Sequence, residues 1–207
     1  MKKFENKKLI LFDLDGVLID SLQNMIKTWT NTSKKFSLNI KFDKYKKHIG
    51  KPFIVILRSL KIKKNLHSNI EREFKRQSVR NFNLITFYPD ALKILRYLKK
   101  KYNIGVLTSK DKYRTKKILK MLDIKFDFVQ CPAEGFKGKP YPDLILKILR
   151  DYKYKKEEVI YVGDTKFDLQ TCRSAKVDFI LAKYGFKIGI KKYKFFINKL
   201  KDLKKIL

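Results

Sequence analysis

Leu9-Ile10-Leu11-Phe12-Asp13-Leu14-Asp15-Gly16-Val17 decides how the rest of the chain is read. Four apolar residues run directly into two carboxylates and a glycine. An apolar run this short, closed by a turn signal, reads as a buried strand and not as a helix. Residues i and i+2 of a strand share a face, so Asp13 and Asp15 can project together from its carboxyl end. Neighbouring carboxylates repel and displace each other's protonation unless a cation or a shared proton compensates. The pair therefore suggests a metal site, or a nucleophile beside an acid/base. Taken alone, Asp13-Leu14-Asp15-Gly16 reads equally well as a strand-ending turn.

Working outward, four more short apolar runs follow, at residues 104–107, 126–130, 159–162 and 178–181. Helical patterns lie between the later ones, at 90–101, 112–122, 142–152 and 166–174, and residues 195–207 read as one more amphipathic helix. The first of these helices carries Leu92, Leu95 and Leu98 as an apolar stripe, with Pro89 at its entry. Strands alternating with helices imply βαβ units, hence an α/β fold with a parallel sheet and helices on both faces. The first gap is different: about 90 residues without a β pattern, too long for a crossover and too ordered for a loop. Helices are expected there at 21–36, 41–48, 52–60 and 69–83. We read residues 18–84 as a helical insertion over the carboxyl end of the first strand, on a core of residues 1–17 and 85–207.

Composition narrows the class. A chain of 207 residues fits one domain, or a core with a modest insertion. Its 44% hydrophobic content supports a sizeable core. No apolar run approaches the roughly 18 residues of a membrane span. The basic N-terminus meets Asp13 too soon for a secretory signal, so a cytoplasmic protein is expected. Cys131 and Cys172 stand apart from each other and from any CxxC pattern, and read as reduced structural thiols. The net charge of +31 invites a polyanion, but only 8 of the 51 basic residues are arginine. Planar bidentate recognition of phosphate favours arginine, and the lysines spread from Lys2 to Lys205. The charge thus reads as solvated lysine faces, which argues against nucleic acid as partner. It leaves a field that attracts small anions. A monomer or loose homodimer is the default assembly.

In open parallel sheets ligands bind beyond the carboxyl ends of the strands. There the sequence places Asp13 and Asp15, then Thr108-Ser109-Lys110, then a loop ending Gly138-Lys139-Pro140, then Gly163-Asp164-Thr165 with Asp168. Each has an ordinary alternative: Thr108 or Asp164 as a helix cap, Asp168 as a solvated residue, Lys139 as one lysine among many. Coincidence at four strand ends is harder to explain that way. Carboxylates form a hard oxygen cage suited to magnesium. A lysine and a hydroxyl can hold the remaining oxygens of a phosphate. One aspartate is then free to attack phosphorus and another to protonate the leaving oxygen, while the clamp stabilises developing charge.

These motifs, in this order and spacing, resemble the haloacid dehalogenase (HAD) superfamily, and within it the capped phosphatases similar to phosphoglycolate phosphatase and β-phosphoglucomutase. The resemblance implies a Rossmann-like core, a helical cap inserted after the first strand, and Mg2+. By it, Asp13 would be nucleophile and metal ligand, and Asp15 the acid/base, giving its backbone carbonyl to the metal. Thr108 and the backbone at Ser109 would hold the phosphoryl group, and Lys139 would orient Asp13. Asp164 would be the second metal carboxylate, and Asp168 a metal ligand or a partner of one. The aspartate two positions after the nucleophile separates the chain from dehalogenases, whose pattern lacks it. His48-Ile49-Gly50-Lys51-Pro52-Phe53 resembles a substrate-facing cap loop, making Gly50, Lys51 and Arg58 specificity candidates. His48 and His67 are expected on the cap surface, and Phe136 and Tyr141 in packing. Ser109-Lys110-Asp111 and Cys172-Arg173-Ser174-Ala175-Lys176 depart from the commoner patterns. The implied activity is Mg2+-dependent hydrolysis of a small phosphorylated metabolite through an aspartyl-phosphate, with a sugar-phosphate mutase as the alternative.

Overall fold

Leu9, Ile10, Leu11 and Phe12 have no exposed surface, as a strand covered on both faces requires. They form β1 (Leu9–Phe12) in a computed structural model that describes residues 4–190 and 192–207. The chain continues through β2 (Ile19–Asp20), α1 (Leu22–Lys35), α2 (Phe42–Lys46), α3 (Phe53–Ser59), α4 (His67–Arg80) and β3 (Thr86–Phe87). Then come α5 (Ala91–Lys99), β4 (Asn103–Leu107), α6 (Lys112–Lys120), β5 (Phe128–Gln130) and α7 (Asp143–Asp151). It ends with β6 (Val159–Gly163), α8 (Lys166–Ala175), β7 (Asp178–Ala182), β8 (Phe196–Ile197) and α9 (Leu203–Ile206).

Six strands pair in parallel in the order β5-β4-β1-β6-β7-β8, which confirms the α/β expectation. Phe12 sits opposite Val106 on β4 and Val162 on β6, so these three strands end side by side. Alternation along β1 feeds two separate apolar clusters. Ile10 and Phe12 pack with Val106, Val162, Leu95 and Leu98 on one face. Leu9 and Leu11 pack with Tyr161, Phe179, Ile145 and Ile148 on the other. A third cluster belongs to the helices between β2 and β3: Trp29, Tyr45, Leu57, Ile70 and Phe74, with Trp29 stacked on Tyr45 at 4.5 Å. Ile188, from the segment after β7, joins it.

The helices of that first gap lie close to where they were expected. Its ends were not legible: β2 and β3 form a two-residue antiparallel ladder, Ile19 opposite Phe87, too short to leave an alternation. The expected helix at 195–207 is instead β8, a 3-10 turn at Leu200–Asp202 and the four-residue α9. Phe196 and Ile197 pair with β7 before any helix begins, so sheet pairing overrides the helical pattern. The third strand shortens to Phe128–Gln130, because Asp127 turns its carboxylate onto the Ile104 N–H at 2.9 Å. His67 is buried and not on the surface, its Nε2 lying 2.9 Å from the Ile62 carbonyl. Tyr141, expected in packing, is 52% exposed, whereas Phe136 does pack against the second cluster. Cys131 and Cys172 are buried free thiols. Among the described residues no helix is long and apolar enough to cross a membrane.

Candidate active site

The register of the central strands brings the predicted residues together. The Asp13 N–H donates to the Val162 carbonyl at 2.9 Å, extending the β1–β6 ladder one residue and fixing where the Asp13 side chain leaves the sheet. Its Oδ1 accepts from the Leu14 N–H at 2.7 Å and lies 3.0 Å from Lys139 Nζ. Lys139 also donates to Asp168 Oδ1 at 2.6 Å. Asp168 is anchored further: its Oδ2 accepts from the Thr165 N–H at 3.0 Å and the Thr165 hydroxyl at 2.6 Å, a reciprocal cap at the start of α8. Tyr161 Oη lies 3.2 Å from Asp168 Oδ1. Lys139 and Asp168 are 2% and 0% exposed, so water relieves neither of them.

Asp164 is treated differently. It is 0% exposed; its Oδ2 accepts from the Phe186 N–H at 2.6 Å, while Oδ1 has no hydrogen-bond partner. Such an orphan is costly unless something positive meets it. Gly16 and Gly185 press against this carboxylate, and a Cβ at either would collide with it; Gly16 also has φ of +81°. Oxygens of Asp13, Asp164 and Asp168 lie within 4.8 Å of one another. Three carboxylates thus face one ammonium. Burial, with further contributions from Asp168 and Asp15 and against the pull of Lys139, pushes Asp13 up to about 7. Burial, then Asp168 and Asp13, holds Asp164 well above the usual carboxylate range. Burial opposes the Lys139 ammonium, but Asp13 and Asp168 outweigh it and raise its pKa. A divalent cation would remove the imbalance and complete the orphaned oxygen, so the residues fit one.

Beside this cluster lies a cavity of about 50 Å³, bounded on the sheet side by Asp13, Asp15, Thr108 and Ser109. Asp15 Oδ1 accepts from the Ser21 hydroxyl at 2.5 Å and lies 3.1 Å from Lys110 Nζ. Thr108 Oγ1 accepts from the Lys110 N–H at 3.2 Å, and the Ser109 hydroxyl donates to the Gly50 carbonyl at 2.6 Å. The helical side supplies Met25, Tyr45, Ile49, Phe53 and Phe74, with Lys51 at the edge. Lys51 lies over the Phe167 ring at 4.9 Å.

Of the specificity candidates, Gly50 and Lys51 line this cavity, whereas Arg58 is exposed on α3 and does not. Arg114 lines it without having been singled out, its guanidinium 5.5 Å from the Phe74 ring and its Nε 2.5 Å from Asp111. Burial lowers the Lys110 pKa against the opposing effect of Asp15. Lys110 sits two residues past Thr108, so its strand-end position was a usable signal. Ser21 and the Phe186 N–H offered none.

The sequence profile of the haloacid dehalogenase-like hydrolases matches residues 10–182. The chain belongs to that family. It is therefore an enzyme, a hydrolase, and the matched stretch contains every strand end that builds the site. It is 30% identical to pyrophosphatase PpaX of Bacillus cereus (strain Q1) over 96% of this chain and 95% of that protein. It is 29% identical to the phosphoglycolate phosphatase of Aquifex aeolicus over 97% and 96% of the two chains. Among solved structures, a haloacid dehalogenase-like family hydrolase of Streptococcus pneumoniae superposes with a TM-score of 0.82 at 22% identity, covering 97% of this chain and 98% of that one. That last likeness concerns the fold alone.

Proposed function

We propose that the protein is a phosphatase that hydrolyses a small phosphate monoester through an aspartyl-phosphate on Asp13, with Mg2+ as its cofactor. The observation that carries this reading is the pairing of Asp13 with a buried, partnerless Asp164 Oδ1 across one cation-deficient cluster. Asp13 and Asp164, with the Asp15 carbonyl, would hold the ion, which when bound would offset the charge of the substrate phosphate. Asp168 works through Lys139, since both of its oxygens already accept hydrogen bonds.

Asp13 attacks phosphorus while Asp15 gives a proton to the leaving oxygen. Asp15 then takes a proton from the water that releases phosphate and regenerates Asp13. Thr108 and the backbone at Ser109 hold the phosphoryl oxygens, and Lys139 keeps Asp13 aimed while neutralising charge that builds during both displacements. The helical segment 18–84 acts as a cap, its apolar side chains closing the cavity against water.

The cavity, walled by Asp13, Thr108 and Ser109 on one side and by Tyr45, Phe53 and Phe74 on the other, suits a small anionic phosphate. Phosphoglycolate, in the name of one relative, is such a monoester; pyrophosphate, in the name of the other, presents the same phosphoryl group on a phosphate leaving group. The test is phosphate release from a panel of phosphorylated metabolites with and without Mg2+, followed by mass analysis of the acid-quenched enzyme. Phosphoryl mass on Asp13 is the expected result. Turnover by Asp13→Asn at the normal rate would sink the mechanism, and an isomerised phosphosugar without free phosphate would point to a mutase.

A further inference from the structure

Lys110 is a buried cation at the reaction rim to which the mechanism above gives no task. It is 6% exposed, a costly place for an ammonium without a purpose. Its N–H donates to Thr108 Oγ1 at 3.2 Å, which ties its backbone to the same strand end. The next residue, Asp111, is already engaged by Arg114, whose N–H donates to it at 3.1 Å and whose Nε does so at 2.5 Å. Among the described residues, Asp15 is the one carboxylate within ion-pair distance of Lys110 Nζ, at 3.1 Å.

Both contacts of Asp15 fall on the same oxygen. Oδ1 meets Lys110 Nζ, and it accepts from the Ser21 hydroxyl at 2.5 Å. The terminal torsion of an aspartate is broad, so a carboxylate held at no point would sweep through many orientations. Two donors on Oδ1, arriving from α6's leading loop and from the residue before α1, remove that freedom. Oδ2 carries neither contact and is the oxygen left for the cavity that Asp15 lines.

We infer that Lys110, together with Ser21, is a positioning residue that locks the Asp15 carboxylate so that Oδ2 meets the leaving oxygen of the substrate. The inference rests on the proposed phosphatase mechanism. In the first displacement the bond from phosphorus to the ester oxygen breaks as the bond to Asp13 forms. The electron pair stays on the ester oxygen, which takes its proton from Asp15 Oδ2. In the second, water bonds to phosphorus, the bond to Asp13 breaks, and Oδ2 recovers a proton from that water. Oδ2 must therefore lie within hydrogen-bond reach of two different oxygens in turn, which an unanchored carboxylate meets only part of the time.

Leaving-group dependence separates this role from simple attraction of phosphate. Acetate leaves without a proton, whereas an alkoxide needs one. The value of kcat/KM reports only the steps through the first displacement. It is measured for acetyl phosphate and for an alkyl phosphate of similar size, with the unmodified enzyme, Lys110→Met, Lys110→Gln and, as a benchmark, Asp15→Asn. Lys110→Met is expected to lose about a hundredfold on the alkyl phosphate and no more than about threefold on acetyl phosphate. Lys110→Gln keeps an N–H donor and should fall between Lys110→Met and the unmodified enzyme. Circular dichroism checks that each variant is folded, and if Lys110→Met is not, Lys110→Gln carries the comparison. Equal losses on both substrates, or no loss on either, overturn the inference. An Asp15→Asn enzyme that shows no leaving-group selectivity overturns the acid role of Asp15 instead, and the inference falls with it.

Discussion

The two sides of the cavity are built on different principles. The sheet rim is polar and deeply buried, and nearly every donor and acceptor on it has a named partner: Lys139 with Asp13 and Asp168, Asp168 with Thr165, Asp15 with Ser21 and Lys110. The helical side is apolar, with Tyr45 and Phe74 drawn from the same cluster that holds the helices together. A polar rim tolerates no vacancy, since each buried group removed strands another without water. An apolar wall can lose a methylene and merely change shape. Chemistry should therefore fail sharply on one side, and selectivity should drift on the other.

The sharpest test sets one residue from each side against the other. Asp13→Asn should cut kcat by about four orders of magnitude or more, the scale on which removal of a nucleophile acts, with circular dichroism unchanged. Phe53→Ala should leave kcat within about tenfold and act mainly on KM, because it removes uniform binding and no reacting group. If Phe53→Ala proved as damaging to kcat as Asp13→Asn, the division of labour would be wrong. Next in size is Lys139→Met, which leaves Asp13 and Asp168 facing each other in a dry site. Breaking a buried pair costs about 3–5 kcal/mol. At about 2–4 °C per kcal/mol for a chain of this length, calorimetry should show Tm falling by roughly 10 °C. Removing Lys147, whose partner Asp151 lies one helical turn away on the surface, should cost less than about 1 kcal/mol.

The same division explains what could be read from the sequence. A strand end is a local signal: apolar residues, then a polar one at the point where the strand must stop. Because the sheet is parallel, Asp13, Thr108 and Asp164 converge without any knowledge of the loops between them. Residues such as Tyr45 and Phe74 gave no such signal, since an aromatic at helical spacing looks the same whether it faces a core or a ligand. Arg58, a candidate because the loop before it resembles a substrate-facing one, lies exposed, while Arg114, which nothing in its helical context marks out, is buried and lines the cavity. The ladder of β2 and β3 was too short to leave a pattern, and β8 was hidden in a stretch with helical periodicity. Asp164 was visible as a carboxylate, but not that its Oδ2 would be met by the Phe186 N–H while its Oδ1 is buried without a partner, which only the folded chain decides.

That orphan supplies a test of intermediate size. An ion that binds the folded chain and not the unfolded one stabilises it by about 2.7 kcal/mol when present at a hundred times its dissociation constant. Adding Mg2+ should therefore raise Tm by several degrees and restore activity lost to a chelator. Gly16→Ala should blunt both responses, since its Cβ would collide with the Asp164 carboxylate, at a φ that disfavours any side chain. A Tm indifferent to Mg2+ in the unmodified protein would remove Asp164 from the metal-binding role.

The smallest effect is expected where the two sides touch. Ser109 belongs to the rim, yet its hydroxyl donates to the Gly50 carbonyl at 2.6 Å and so fastens the helical side to the sheet. Gly50 has φ of +105°, and a Cβ there would lie 2.8 Å from Thr165 Oγ1, so this loop approaches the rim as closely as only glycine allows. One such hydrogen bond contributes about 0.5–1.5 kcal/mol net. Because it holds the loop against the rim, Ser109→Ala should raise KM by about two- to tenfold, the factor by which the competent population falls. kcat should stay within about twofold, because the group assigned to the phosphoryl oxygens at this position is the backbone N–H, which alanine retains. Steady-state kinetics on the best substrate of the panel decides the matter. A hundredfold fall in kcat would mean that the hydroxyl itself meets the reacting group, and the line between the two sides would then run through Gly50 and not through Ser109.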